Sequence, residues 1–307
     1  MNNFEGKEAM KNLIVDLNNL AFVTRFSKVP TPPSKRRKDE YASRLIFFEM
    51  LSTVAYVAHT NRCDAIVVTC DSKNVWRHDI YDIYKASSET SEDIYYRETL
   101  EAADMFKAFM RENTSSLVLS VDRCEADDII GYWCLNSSGV ENMILSTDKD
   151  FIQLLNENTS LYSVTQKEFR QSQNPDFDLF VKCMRGDKND NIESALPRVR
   201  QTRLEKAYAD DIELLNLFET VRKDGRKVFD VFDLNRRLID LSMQPEWVVE
   251  NIKKAIEETE TGRYSEAKTM RYLSDLGLKA KADVLDGKSR PFRVKPVMKI
   301  DTNKKVL

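Results

Sequence analysis

Five short apolar runs separated by longer amphipathic stretches constrain how the first two-thirds of this chain can fold. Leu13 to Leu17 (LIVDL), Ala65 to Cys70 (AIVVTC), Leu117 to Val121 (LVLSV), Met143 to Leu145 (MIL) and Leu161 to Val164 read as strands buried on both faces. Between them, Tyr41 to Thr60, Ser91 to Asn113, Glu125 to Asn136 and Phe151 to Leu155 carry helical spacing. Strands alternating with helices predict an α/β fold with a mostly parallel central sheet flanked by helices.

Beyond Asp176 the strand signal fades into helical segments broken at Gly186, Pro197, Gly225, Pro245 and Gly277. The reading therefore divides the chain into an α/β core over residues 1–186, a smaller helical region over 187–287 and a basic tail over 288–307. The tail holds two prolines and seven basic residues against one acid, which predicts an extended or mobile segment. A second basic stretch, Ser27 to Lys38 (SKVPTPPSKRRK), is expected to be a loop leaving the first strand, because Pro30, Pro32 and Pro33 exclude a helix.

Composition narrows the class. At 42% hydrophobic and 32% charged residues, with no apolar run approaching the ~20 residues that span a bilayer, the chain reads as soluble and cytoplasmic, with no membrane partner. Five cysteines, odd in number and without a C-x-x-C pair, read as buried free thiols rather than as a zinc or redox site. The net charge of −3 hides an asymmetry of −8 over residues 1–197 and +5 over 198–307.

The acidity falls at particular places. In an open α/β sheet the functional crevice lies beyond the carboxyl ends of the strands. Asp16 closes the first apolar run, Asp71 closes the second, and Asp148 closes a later one with Asp150 two residues on. Glu125, Asp127 and Asp128 (EADD) open the amphipathic segment after LVLSV, with Glu125 and Asp128 on one helical face; Asp187 and Asp190 (GDKNDN) follow a helix. Any one of these has an ordinary explanation as a turn residue or helix cap, and Asp122 is read that way. Nine carboxylates gathered on one side of a sheet would repel one another by several kcal/mol and so require cations.

An all-oxygen set without His or Cys selects hard ions, Mg²⁺ with Mn²⁺ as a substitute, and nine acids exceed what one such ion takes. Two ions roughly 3.5–4 Å apart suit phosphodiester hydrolysis. With those nine acids counted as ligands, the first 197 residues stand near +1, so nucleic acid is admissible as a partner. Rival motifs fail: Asp187-x-Asn189-x-Asn191 lacks the calcium-loop glycine at Ile192 and its closing Glu at Arg198, and Gly287-Lys288-Ser289 lacks the first phosphate-loop glycine at Ala282. A non-catalytic nucleic-acid binding protein of the same fold, or a Mg-dependent small-molecule phosphatase, stays open at this point.

The order IVDLNN, VVTCD, EADD, STDKD, GDKNDN over residues 12–191 resembles the flap endonuclease and 5′-3′ exonuclease family, in particular its phage 5′ nucleases of the ribonuclease H type. The resemblance implies a PIN-like 5′ nuclease fold. It also implies that Asp16, Asp71, Glu125, Asp127, Asp128, Asp148, Asp150, Asp187 and Asp190 hold two metal ions, directly or through water. The substrates it implies are 5′-flap or forked DNA and RNA–DNA hybrid, with primer removal in phage replication as the setting. A monomer is expected, with a single-strand binding protein or sliding clamp as further partners.

The segment from Lys73 to Met110 looks like the family's helical arch, within which Lys85 resembles the catalytic lysine. Trp76, Arg77, Tyr81, Tyr84 and Lys85 interleave aromatics with cations, a pattern suited to stacking and neutralising a single strand, or alternatively to an amphipathic helix with its rings in the core. After Asn191 the likeness weakens. No glycine occurs from Asn191 through Lys206, so the glycine-rich helix-hairpin-helix of many relatives is not expected, and Arg198, Arg200, Arg203 and Lys206 are candidate contacts to duplex backbone or a solvated helix face.

Overall fold

The apolar runs become strands because helices cover both sides of them. In a computed structural model of the chain, the structure describes residues 9–29, 41–86, 94–278 and 283–299. Strands β1 (Lys11–Asp16), β2 (Ala65–Cys70), β3 (Leu117–Ser120), β4 (Glu141–Leu145) and β5 (Thr159–Ser163) run parallel in the order β3-β2-β1-β4-β5, and β6 (Glu168–Arg170) closes one edge antiparallel to β5. Sequence reading missed β6, whose three residues are too few for a periodic signal. The register sets Asp16 beside Thr69 and Val15 beside Leu145, so β1, β2 and β4 end almost level.

Side chains alternate across the sheet, as strand geometry requires. Leu13, Val15, Val68 and Met143 face one layer, built from α1 (Leu17–Lys28), α2 (Ala42–Thr60) and α3 (Tyr96–Asn113), where Phe47 packs edge-on to Phe106 and Phe109. Ile14, Val67 and Ile144 face the other, where α4 (Ala126–Asn136) contributes Ile129 and Trp133.

Helix α1 was not expected. Asp16 both ends β1 and caps α1, accepting the Asn19 backbone N–H, so helix follows strand with no loop to signal the change. The basic segment from Ser27 therefore leaves the end of a helix rather than a strand; Pro30, Pro32 and Pro33 lie outside the described residues. The expected arch also divides. From Tyr96 onward it is core helix α3, with Ala102, Phe106, Phe109 and Met110 buried, while positions 87–93 lie outside the described residues.

The C-terminal third is helical and packs in two parts. Helices α5 (Pro175–Arg185), α6 (Gln201–Ala209), α7 (Asp211–Phe218) and α8 (Val228–Ile239) share a small core around Phe180, Met184, Leu204, Leu217 and Val231. The chain then returns to the sheet. In α9 (Glu246–Glu258), Val248 and Ile252 join the Trp133 layer, while Leu273 of α10 (Glu266–Asp275) and Phe292 of α11 (Arg290–Arg293) join the Phe47 layer.

The basic tail, expected to be extended or mobile, is docked as far as residue 299. The Phe292 carbonyl accepts the Ser115 N–H at 2.7 Å, Val297 O accepts Asn12 Nδ2 at 2.9 Å, and Lys299 O accepts the Ser138 N–H at 2.8 Å. Its basic composition concealed one buried aromatic anchor; residues 300–307 lie outside the described residues. Phe292 is 0% exposed, so Phe292→Ala is expected to cost ~3–5 kcal/mol in urea denaturation. An unchanged midpoint would show that the docked segment contributes nothing to the core.

Candidate metal centre

Five segments deliver acids to the carboxyl edge of the sheet, and each is held by a different local device. Asp16, only 6% exposed, accepts the Ser146 hydroxyl at 3.0 Å as well as the Asn19 N–H. Asp71, one residue past β2, bridges two helices: Oδ1 accepts the Ala126 N–H at 2.8 Å at the start of α4, and Oδ2 accepts Asn18 Nδ2 at 2.6 Å. Asn19 in turn exchanges hydrogen bonds with Thr147 through both its amide atoms, which fixes the loop carrying Asp148. Asp148 accepts the Asp150 N–H at 2.8 Å.

Glu125 caps α4 and collects donors. Its Oε2 accepts Arg77 at 2.8 Å and the Tyr84 hydroxyl at 3.1 Å, while Oε1 lies 2.7 Å from Lys85 Nζ. Lys85 reaches it from a left-handed backbone conformation, φ +53°, held by its own N–H donating to Asp190 O at 3.1 Å. For a residue with a Cβ that conformation costs roughly 1–2 kcal/mol, which the surrounding contacts must over-determine.

The last two acids depend on a glycine. Gly186 ends α5 with φ +69°, and a Cβ there would stand 2.4 Å from the carbonyl oxygens of Ile192 and Glu193. The chain can therefore turn back on itself and bring Asp187 and Asp190 towards Asp150. Carboxylate oxygens of Asp150, Asp187 and Asp190 all lie within 4.8 Å of one another. Asp127, Asp148 and Lys85 join these three around a cavity of about 220 Å³.

Asp128 stands apart from this assembly. It is 0% exposed, takes both guanidinium arms of Arg77 and the Trp76 indole N–H at 3.1 Å, and accepts the Glu125 backbone N–H at 2.9 Å. It is turned into the protein, because a buried guanidinium needs a second anion beside Glu125. Arg77 and Tyr84 are likewise turned inward rather than towards a single strand. Arg77 is 2% exposed and also donates to Leu238 O at 2.8 Å at the end of α8; Tyr84 is 3% exposed. Tyr81 is half-buried with its hydroxyl on Asn191 O at 3.1 Å, while Arg198 and Arg200 are exposed just before α6 and Arg203 and Lys206 are exposed within it.

Four groups escaped sequence reading: Asn18, Asn19, Ser146 and Lys182. The first two lie inside IVDLNN, so their proximity to Asp16 was a usable signal. Lys182, in the last turn of α5, forms ion pairs with Asp150 and, at 3.1 Å, with Asp187.

The acids differ in proton affinity. Burial, reinforced by neighbouring Asp71, pushes Asp16 up to about 7, and burial next to Asp148 pushes Asp150 up to about 6. Burial raises Asp127 well above the usual range and raises Asp190 as well. In Glu125 burial is outweighed by Arg77 and Lys85, and in Asp187 by the Asn189 N–H and Lys182, so both are held low. Such a set, oxygen-only and disfavoured as anions, fits hard divalent cations.

The model for the 5′-3′ exonuclease N-terminal, resolvase-like domain matches residues 11–178. The chain belongs to the 5′-3′ exonuclease family. Among its relatives, ribonuclease H of Enterobacteria phage T4 is 25% identical over 267 residues, covering 78% of this chain and 84% of that protein. Flap endonuclease Xni of Colwellia psychrerythraea is 24% identical over 192 residues, covering 58% of this chain and 64% of that protein. The bacteriophage T5 protein co-crystallised with metal ions has the same fold, with a TM-score of 0.58 at 17% identity, covering 81% of this chain and 100% of that one. A complex of the T5 flap endonuclease with DNA and metal ions gives 0.58 at 18%, covering 80% and 98%. The expected PIN-like 5′ nuclease fold is thereby borne out.

The raised acids set a pH dependence. A carboxyl whose folded pKa lies above its unfolded value of 3.8 stabilises the fold fully below that value and loses the contribution as pH rises through the folded pKa. Without divalent ions the chain is therefore expected to lose thermal stability between about pH 4 and about pH 7 through Asp16 and Asp150. Saturating Mg²⁺ should flatten that slope, and Asp16→Asn should reduce it. Calorimetry across this range checks the point; a slope indifferent to both would mean that Asp16 and Asp150 are not held above the ordinary carboxylate range.

Proposed function

We propose that this protein is a structure-selective 5′ nuclease, a 5′-3′ exonuclease and flap endonuclease acting on 5′-flap or forked DNA and on RNA–DNA hybrid, with removal of RNA primers from lagging-strand fragments in phage replication as its task. The observation that carries this reading is the convergence of eight carboxylates from five segments at the strand ends, with a lysine at the rim of the same cavity. Asp16, Asp71, Glu125, Asp127 and Asp148 would hold one Mg²⁺, and Asp150, Asp187 and Asp190 a second, with Mn²⁺ as a substitute. When bound, the two ions supply an activated water and neutralise charge on the phosphate and the leaving 3′ oxygen. The names of the T4 ribonuclease H and of the DNA-bound T5 flap endonuclease support the substrate class.

The chain's own residues have distinct tasks in this scheme. Lys85 donates to the non-bridging oxygens of the scissile phosphate, moving from Glu125, whose carboxylate holds the ammonium above the usual lysine range against the effect of burial. Arg77 and Tyr84 fix Glu125 so that this exchange does not move the carboxylate. Asn18 and Asn19 hold Asp71 and the Asp148 loop at a constant separation. Tyr81, half-buried against Asn191, and the exposed Arg198, Arg200, Arg203 and Lys206 orient the nucleic acid, the basic residues through its phosphates.

Asp148→Asn keeps the shape and removes one charge from the cluster. It is expected to reduce Mg²⁺-dependent cleavage of a 5′-labelled flap or RNA-primed duplex by on the order of 100-fold or more, with an unaltered circular dichroism spectrum. The same assay on blunt duplex and on a simple phosphate monoester separates a 5′ nuclease from a phosphatase and from a binding protein. Undiminished cleavage by Asp148→Asn would overturn the assignment.

A further inference from the structure

Lys182 has no part in the scheme above, yet it sits among the acids assigned there to the second ion. It belongs to the last turn of α5, an element outside the strand-end pattern of acids. Its carbonyl accepts the Gly186 N–H at 2.8 Å, the cap from which the chain turns back, and this turn brings Asp187 Oδ2 to 3.1 Å from the Lys182 ammonium. The same ammonium pairs with Asp150, which enters from the turn after β4. Only 24% of the lysine side chain is exposed, so water screens these pairs weakly.

Asp150 and Asp187 are two of the three carboxylates whose oxygens gather within 4.8 Å, a spacing suited to one divalent ion. The structure therefore holds a monovalent cation between two members of a group built for a divalent one. An ammonium and a divalent ion cannot share the same carboxylate oxygens without strong repulsion between them.

We propose that Lys182 is a resident counter-cation of the second ion position. It holds Asp150 and Asp187 together in the ion-free chain and is displaced from them when a divalent ion enters. Lys182 is a positioning residue, acting through the carboxylates and not on the substrate. It has two opposed effects: it stabilises the ion-free fold by neutralising Asp150 and Asp187, and it weakens the second ion by competing for them. The second ion thus binds less tightly than the first, so the complete set forms only where divalent ion is plentiful or an anionic phosphate adds its own oxygens to the site. This inference rests on the two-ion reading.

The test is direct Mn²⁺ binding to the full chain, followed by the electron paramagnetic resonance signal of the free ion. The unaltered chain is expected to show a tighter and a weaker class of site. Lys182→Met keeps the length and removes the charge; it should tighten the weaker class tenfold or more and leave the tighter one within about twofold. Lys182→Arg, which keeps a cation, should leave both near their original values. In thermal melts Lys182→Met should be less stable than the unaltered chain without ions and at least as stable in saturating Mn²⁺. A weaker class unchanged or loosened by Lys182→Met overturns the proposal, as does a loss of cleavage with binding untouched, which would assign the ammonium to the phosphate instead. If the unaltered chain binds fewer than two ions, the two-ion reading itself fails, and that result is distinct from either.

Discussion

Mutual repulsion among carboxylates is the constraint on which the rest of this structure depends. Two unit charges 4 Å apart in a protein-like medium interact by about 4 kcal/mol, and eight acids cluster at the strand ends. The fold answers with fixed cations and fixed dipoles. Lys85 faces Glu125, Lys182 faces Asp150 and Asp187, and the first N–H of α4 points at Asp71. Burial, reinforced by the neighbouring carboxylates that stay unneutralised, raises the proton affinity of Asp16, Asp127, Asp150 and Asp190. A cluster stabilised by protons in the absence of metal is one that gains most when divalent ions replace them.

The second support is the buried Arg77. One guanidinium joins Glu125 and Asp128 at the start of α4 to the carbonyl of Leu238 at the end of α8. It thereby locks the segment that carries Lys85 to the helix that carries Glu125 and to the C-terminal helical cluster. Removing one partner from such a buried network typically costs several kcal/mol, because the others stay buried and unpaired. The energetic investment lies behind the site, where it fixes geometry without touching substrate.

Legibility in the sequence followed the range of the interactions involved. The sheet could be read because alternation of apolar runs with helical spacing is a local signal, and strand ends then marked Asp16, Asp71 and Asp148. Helix α1 was hidden because Asp16 is at once the end of a strand and the cap of a helix. The docking of residues 288–299 was hidden because a single buried Phe292 outweighs the charge of its neighbours. The aromatic and basic run from Trp76 to Lys85 pointed either to a single-strand surface or to a helix with its rings in the core. Its periodicity says nothing about what will cover it, and Leu238 and Glu125, distant in sequence, turned Arg77 and Tyr84 inward.

The sequence by itself determined the chemistry available: a mostly parallel α/β sheet whose strands end in acids. Only the tertiary structure decided how those acids are shared out. It withdrew Asp128 into a buried ion pair, gathered Asp150, Asp187 and Asp190 within reach of one cation, and set Lys182 among them. The physical reason is that charge–charge energies depend on distances of a few ångströms. In this chain those distances are fixed by a glycine turn, a helix cap and a buried arginine that join segments far apart in sequence.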